Sequence, residues 1–121
     1  MDKAQAIHSF WSGFGLTAYD ENSVPDSAVM PYITYSVVTD SLEYVALLTG
    51  SLWYRSTSWE RASQKADEIS ESLKDGKVIK LDTGYIYMYR GTPFAQRMGD
   101  ENDDMIKRIY FNVNAEYLTN Y

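Results

Sequence analysis

The chain has 121 residues, a formal net charge of −6 and no cysteine. This length is typical of one domain with its own core, so we expect a single domain over residues 1–121. The lack of cysteine excludes disulfides, thiolate metal sites and cysteine nucleophiles. With 11 basic and 17 acidic residues, the chain lacks the concentrated basic surface that tight nucleic-acid binding needs.

Neither a signal peptide nor a membrane span is predicted. The first eight residues are too polar for the apolar segment of a signal peptide. No apolar run approaches the roughly 20 residues that cross a bilayer. We therefore expect a protein that is made in the cytoplasm and has no membrane partner.

The first half of the chain predicts one helix and two strands. A helix over Asp2 to Phe14 is indicated by apolar residues that fall on one helical face: Ile7, Phe10, Trp11 and Phe14. A loop follows over Asp20 to Asp26. Pro31 to Val38 and Tyr44 to Ser56 are rich in β-branched and aromatic residues, and we expect them to pair as a long antiparallel hairpin. Gly50 predicts a bulge or a bend in the second strand.

A second helix is predicted after residue 56. Thr57 to Glu60 matches a capping box, in which a hydroxyl and a carboxylate accept from backbone N–H groups at a helix start. Apolar residues then recur at helical spacing, and Asp75-Gly76 ends the pattern: Trp59, Ala62, Ala66, Ile69 and Leu73. Because Ala62 and Ala66 are small, this helix can lie close on a sheet.

The remainder predicts three strands, over Lys77 to Leu81, Tyr85 to Arg90 and Met105 to Leu118. Asp82 to Gly84 is predicted to be a turn, and Gly91 to Asp104 is predicted to be a long polar loop. The order helix, two strands, helix, three strands predicts an α+β fold. Its sheet is mostly antiparallel, with about five strands and two helices packed on one face.

Residues that could support catalysis are few. His8 is the only histidine, no partner pattern surrounds it, and we interpret it as a surface histidine. No Gly-x-Ser-x-Gly elbow is present, and Gly13-Phe14-Gly15 follows a helix, unlike a phosphate-binding loop. We therefore expect no enzymatic activity and no cofactor.

An acidic run lies between the last two predicted strands, at Asp100, Glu101, Asp103 and Asp104. Carboxylates suit hard cations, which makes Asp100, Asp103 and Asp104 candidate ligands, although the spacing is not that of an EF-hand. The interpretation we favour is a solvated loop whose like charges keep it extended. Just before it, Phe94 and Met98 are apolar residues on a polar segment. Either that segment folds back on its own sheet or a neighbouring subunit covers it.

The layout resembles the tail-terminator (tail-completion) proteins of bacteriophages with long non-contractile tails. The likeness spans nearly the whole chain and lies in the order of elements together with several stretches. These are Pro31-Tyr32-Ile33-Thr34-Tyr35, Leu52-Trp53-Tyr54-Arg55, the helix from Trp59 to Leu73, Tyr87-Met88-Tyr89, Phe94-Ala95-Gln96-Arg97 and Lys107-Arg108-Ile109-Tyr110-Phe111-Asn112-Val113.

The resemblance implies a structural virion protein that forms a ring, expected to be a hexamer. The ring would cap the head-proximal end of the tail tube, end its polymerisation and offer a surface to the head-completion connector protein. DNA would pass through the ring without tight binding. Asp100, Glu101, Asp103 and Asp104 would line the hole or order on assembly. Contacts between subunits would use Phe94, Gln96, Arg97, Met98, Trp53 and Tyr54.

Three alternatives remain open. The chain could be another phage head–tail connector or joining ring protein, which would share the fold and the acidity. It could be a small-molecule-binding α+β domain with a pocket on its tyrosine face. It could also be a sheet that stacks nucleic-acid bases on Tyr85, Tyr87 and Tyr89, which the net charge disfavours.

Overall fold

The computed structural model describes residues 1–39 and 45–119. Their elements in chain order are α1 (Lys3–Ser12), β1 (Thr17–Asp20), β2 (Tyr32–Tyr35), β3 (Ala46–Arg55), α2 (Glu60–Ser72), β4 (Lys77–Leu81), β5 (Gly84–Gly99) and β6 (Ile106–Thr119). The strands form one six-stranded sheet in the order β1-β2-β3-β6-β5-β4. Only β1 and β2 are parallel, among these strands. The predicted α+β fold is confirmed, with six strands where we expected about five.

Helix α1 forms where the apolar spacing predicts it. A capping box fixes its start, because the Asp2 carboxylate accepts from the backbone N of Gln5 at 2.8 Å while the Gln5 side chain accepts from the backbone N of Asp2 at 2.9 Å. The buried face comprises Ala6, Ile7, Phe10 and Trp11. This face packs the helix on the sheet, and the chain leaves it through Gly13 and Gly15, the latter with φ of 79°.

Gly50 makes no bulge, so the expected irregularity in β3 is wrong. Gly50 pairs regularly with Tyr35 on one side and with Phe111 on the other. The glycine is needed for space, because a Cβ atom there would lie 2.5 Å from Cη2 of Trp11. Helix α1 therefore covers the face of the sheet towards which a side chain at position 50 would point. The predicted start of this strand, at Tyr44, falls outside the described residues.

Helix α2 begins later than the capping-box motif predicts. The helix starts at Glu60, which therefore occupies the first helical position and not the third. The Ser58 hydroxyl accepts from the backbone N of Glu60 at 3.0 Å, so a serine turn replaces the predicted box. The small-residue face is buried as expected, at Ala62, Ala66 and Ile69. The Arg61 guanidinium lies 5.4 Å from the ring centroid of Tyr54, which places α2 on the same face of the sheet as α1.

The prediction of a polar loop over Gly91 to Asp104 is wrong over most of that range. β5 continues to Gly99 and pairs with β6 throughout, apart from a register shift between Arg90 and Ala95. The shift lies where Gly91 packs against β6, because a Cβ atom on Gly91 would lie 2.9 Å from the Asn112 carbonyl oxygen. Sequence periodicity misses this half of β5 because most of its side chains are exposed on both faces.

Strand β1 was also missed, because it has only four residues and buries only Ala18. Within the residues described, neither helix is long and apolar enough to cross a membrane.

Candidate interaction surface

The face of the sheet opposite the helices is the candidate interaction surface. Strand side chains alternate between faces, so residues one position away from Gly50 point away from α1. Strand register places the outward side chains of five strands in two adjacent rows. One row contains Thr17, Tyr32, Trp53, Arg108 and Met98, and the other contains Tyr19, Thr34, Ser51, Tyr110 and Gln96. We call these ten residues the open face.

Arg108 lies at the centre of the open face and is held on three sides. Its guanidinium carbon lies 4.7 Å from the ring centroid of Trp53 and 5.5 Å from that of Tyr110. Its Nε donates to the Ser51 hydroxyl at 3.0 Å. Ser51 is itself buried, so this hydrogen bond anchors the half-buried arginine to the sheet.

The aromatic rings beside Arg108 are also fixed in place. Trp53 Nε1 donates to the Thr34 hydroxyl at 2.9 Å. The rings of Tyr32 and Trp53 lie 6.4 Å apart, and those of Tyr19 and Tyr32 lie 5.7 Å apart in an edge-to-face arrangement. Trp, Tyr and Arg side chains held in one conformation are typical of protein interfaces, because little side-chain entropy remains to be lost on binding.

A cleft of about 380 Å³ adjoins the open face at the turn between β5 and β6. Its lining consists of Trp53, Met98, Gly99, Asp100, Ile106 and Arg108. Met98 is 36 % exposed there. The cleft therefore combines an apolar wall, a cation and a carboxylate.

The acidic run forms a turn that is tied to the end of β3. Arg55 Nη1 donates to Asp103 Oδ2 at 2.7 Å, and the backbone N of Met105 donates to Asp103 Oδ1 at 3.0 Å. These two hydrogen bonds hold the pKa of Asp103 below its usual value, and the one from Arg55 has the larger effect. Asp100 Oδ1 accepts from the backbone N of Asn102 at 2.8 Å. The extended loop expected here is thus a compact turn.

No cation site accompanies these carboxylates. Over residues 1–39 and 45–119, no group of three or more His, Asp or Glu side chains lies close enough to hold a metal ion. Of the candidate ligands, Asp103 is engaged with Arg55 and Asp100 with its own turn, while Asp104 is exposed.

The residues predicted to contact neighbouring subunits separate into two groups. Trp53, Gln96 and Met98 lie together on the open face. Arg97 lies on the helix side, where its guanidinium stacks 5.1 Å from the Trp59 ring centroid and donates to the Ser63 hydroxyl at 3.1 Å. Tyr54 is only 4 % exposed and packs in the core of its own chain.

Phe94 packs against its own sheet: its ring lies 5.4 Å from the ring of Phe111 and against the core. Met98, the other apolar residue of this segment, is exposed. Sequence reasoning overlooked Tyr32, Arg108 and Tyr110 as site residues. Their alternation with buried neighbours was visible, but their grouping depends on strand register, which the sequence does not state.

The tyrosines of β5 form a second aromatic cluster. The rings of Tyr87 and Tyr89 lie 5.2 Å apart, and burial together with the Glu116 carboxylate raises the pKa of Tyr89. An acidic neighbour disfavours the stacking of nucleic-acid bases here. His8 is exposed, with Nδ1 2.7 Å from the Tyr35 hydroxyl and Nε2 3.1 Å from the Ser12 hydroxyl.

Comparison of the chain with protein-family models, with curated proteins and with solved structures gave no match.

Proposed function

We propose that this chain is a phage tail terminator. Six copies form a ring on the head-proximal end of the finished tail tube. The ring stops tube polymerisation and offers the surface to which the head-completion connector binds. The protein acts in the virion as a structural subunit, and the proposal assigns it no catalytic step and no cofactor.

The observation that carries this proposal is the open face with its fixed Trp53–Arg108–Tyr110 cluster. The cluster lies on the face of the sheet away from the helices and outside the hydrophobic core, and its three side chains are half-buried. Such clusters contribute binding energy when a partner covers them, since the cation–π contact strengthens as water leaves. A subunit of a ring or tube has such partners on several sides.

The acidic turn supports the role in DNA passage. Asp100, Glu101 and Asp104 are exposed, whereas Asp103 is held by Arg55. Exposed carboxylates at the hole of a ring would repel DNA phosphates and prevent the DNA from sticking. A triple variant, Asp100→Asn with Glu101→Gln and Asp104→Asn, removes this charge and keeps the Arg55 contact. We expect normal assembly but slower DNA ejection, and unchanged ejection would contradict a lumen role.

A deletion experiment separates a terminator from a head–tail joining protein. Virus particles made without this protein are examined by electron microscopy. A terminator predicts tails that grow far beyond their normal length, because nothing stops the tube. Tails of normal length that fail to join heads would show a joining protein instead and would contradict the proposal.

A further inference from the structure

The described part of the sheet has three open edges, and two of them are compared first because they differ from each other. β1 pairs only with β2, and its outer edge has no strand partner among the described residues. On the other side, β4 pairs with β5 only from Gly84 to Met88. The stretch from Ala95 to Gly99 is therefore a second edge, which pairs only with β6 within the described chain. Each edge leaves backbone N–H and C=O groups able to pair with another strand.

These two edges lie at the same level of the sheet. Following the register across the strands, Thr17 aligns with Met98 through Tyr32, Trp53 and Arg108. By the same path Tyr19 aligns with Gln96, and Asp20 aligns with Ala95. The four residues of β1 thus match residues 95–98, which belong to the lower half of β5, defined as Ala95–Gly99.

Strand directions and faces also match. β1 runs parallel to β2, and the three following pairs are antiparallel, so β1 runs opposite to β5. A second copy placed beside the first would pair its β1 with β5 in the antiparallel sense. Both open faces would then point the same way. On the helix side, Asp20 of the neighbouring copy would lie diagonal to Arg97, a favourable pairing of opposite charges.

The third edge of the sheet carries the usual protection against pairing. The outer edge of β4 carries Lys80 and also Lys77, whose ammonium lies 5.6 Å from the Phe10 ring centroid, and lysines on an edge strand discourage the approach of another strand. β1 has no lysine or arginine, and in the lower half of β5 the single charge, Arg97, is folded over Trp59.

We propose that β1 of one copy adds to the Ala95–Gly99 edge of the next, so that neighbouring subunits share one continuous sheet. The two edges are different surfaces, so the contact is head-to-tail and can close into a ring. This inference rests on the proposed ring and specifies its interface, with the open faces of all copies forming one surface.

Disulfide trapping tests the contact, because the natural chain contains no cysteine. The test variant carries Thr17→Cys and Met98→Cys, and a second pair carries Tyr19→Cys and Gln96→Cys. Opposed residues of antiparallel strands have Cα atoms about 4.5–5.5 Å apart, which a disulfide spans. The control joins Thr17→Cys with Val78→Cys, which places the second thiol on the β4 edge. Circular dichroism first verifies that each variant folds.

We expect the two test pairs to lose the monomer band under mild oxidation and to give a ladder that ends at the closed ring. The control should remain monomeric on a denaturing gel. A ladder from the control with none from either test pair would overturn the inference and assign the interface to β4.

Native mass spectrometry of the unmodified protein distinguishes this inference from the proposed function. Rings without cross-links in either test pair would overturn the strand contact and leave the ring. Cross-linked open fibres without rings would support the strand contact and contradict the ring. A protein that stays monomeric and uncross-linked, even when tail tubes are supplied, would overturn both.

Discussion

The indole ring of Trp11 lies directly over Gly50, so close that a Cβ atom at position 50 would lie within 2.9 Å of three of its ring carbons. The same indole lies 6.1 Å from the ring of Phe111, the residue that pairs with Gly50 across β3 and β6. Helix α1 therefore docks on the middle of the sheet through one aromatic ring and one missing side chain.

The first prediction concerns this contact. Gly50→Ala should destabilise the protein by about 1–3 kcal/mol, because the added methyl group overpacks a buried site and displaces α1. Urea unfolding monitored by tryptophan fluorescence measures the effect. Gly99→Ala is the control, since a Cβ atom there has no neighbour within 4 Å. Equal unfolding midpoints for the two variants would contradict the packing described.

The second prediction concerns the acidic turn. Asp103→Asn should increase amide hydrogen exchange at Met105 and Ile106, because it removes the charged partner of Arg55. Glu101→Gln makes the same charge change in the same turn and should leave exchange unaltered.

Low pH should have the same effect as Asp103→Asn. The pKa of Asp103 is lowered in the folded protein, so its contribution is present above the ordinary carboxyl pKa and is lost as the pH falls through the lowered value. Slow exchange of both amides in Asp103→Asn would show that Arg55 does not hold the turn.

The third prediction concerns stability in alkali. Burial raises the pKa of Tyr117 to about 12, and its hydroxyl donates to the Val38 carbonyl oxygen. The folded state keeps this proton while the unfolded chain loses it near pH 10, so stability should fall as the pH rises from about 10 towards 12.

Tyr117→Phe should reduce the steepness of that fall, measured by urea unfolding at several pH values. Tyr85→Phe, at an exposed tyrosine, should leave the slope unchanged. If both variants keep the slope of the natural protein, Tyr117 does not control it.

The fourth prediction separates partner binding from folding. Arg108→Ala should weaken the binding of the ring to tail tubes, while the free energy of unfolding falls by about 1–3 kcal/mol, the usual value of two cation–π contacts and one hydrogen bond. Arg90→Ala removes the same charge from an arginine that donates to Ser70, and it should bind tubes normally. Co-sedimentation with tail tubes and urea unfolding give the two values. Tube binding by Arg108→Ala equal to that of the natural protein would show that the open face is not the surface that binds the tube.

The sequence predicts those parts of the fold that local patterns determine. The spacing of Ile7, Phe10 and Trp11 sufficed for α1, and the spacing of Ala62, Ala66 and Ile69 sufficed for α2. Sequence-based prediction failed where contacts between residues distant in the chain determine the local structure. Gly50 read as a bulge because its role depends on Trp11, which is 39 positions earlier in the chain.

The candidate surface was predictable only in part, for a related reason. Trp53, Gln96 and Met98 were selected from the sequence, and they share a face only because two strand pairings bring them into register. The lower half of β5 looked like a loop because an edge strand exposed on both faces carries no alternating hydrophobic pattern. Arg108 looked like an ordinary polar residue of a half-buried strand until Trp53 and Tyr110 were placed beside it.

Native mass spectrometry over a concentration series, with and without tail tubes, tests whether this chain forms a ring at the end of a tail tube. We expect a single assembled species with six times the 13.9 kDa mass of the chain, bound to tube ends when these are supplied. A 13.9 kDa monomer at every concentration, even in the presence of tail tubes, would contradict it.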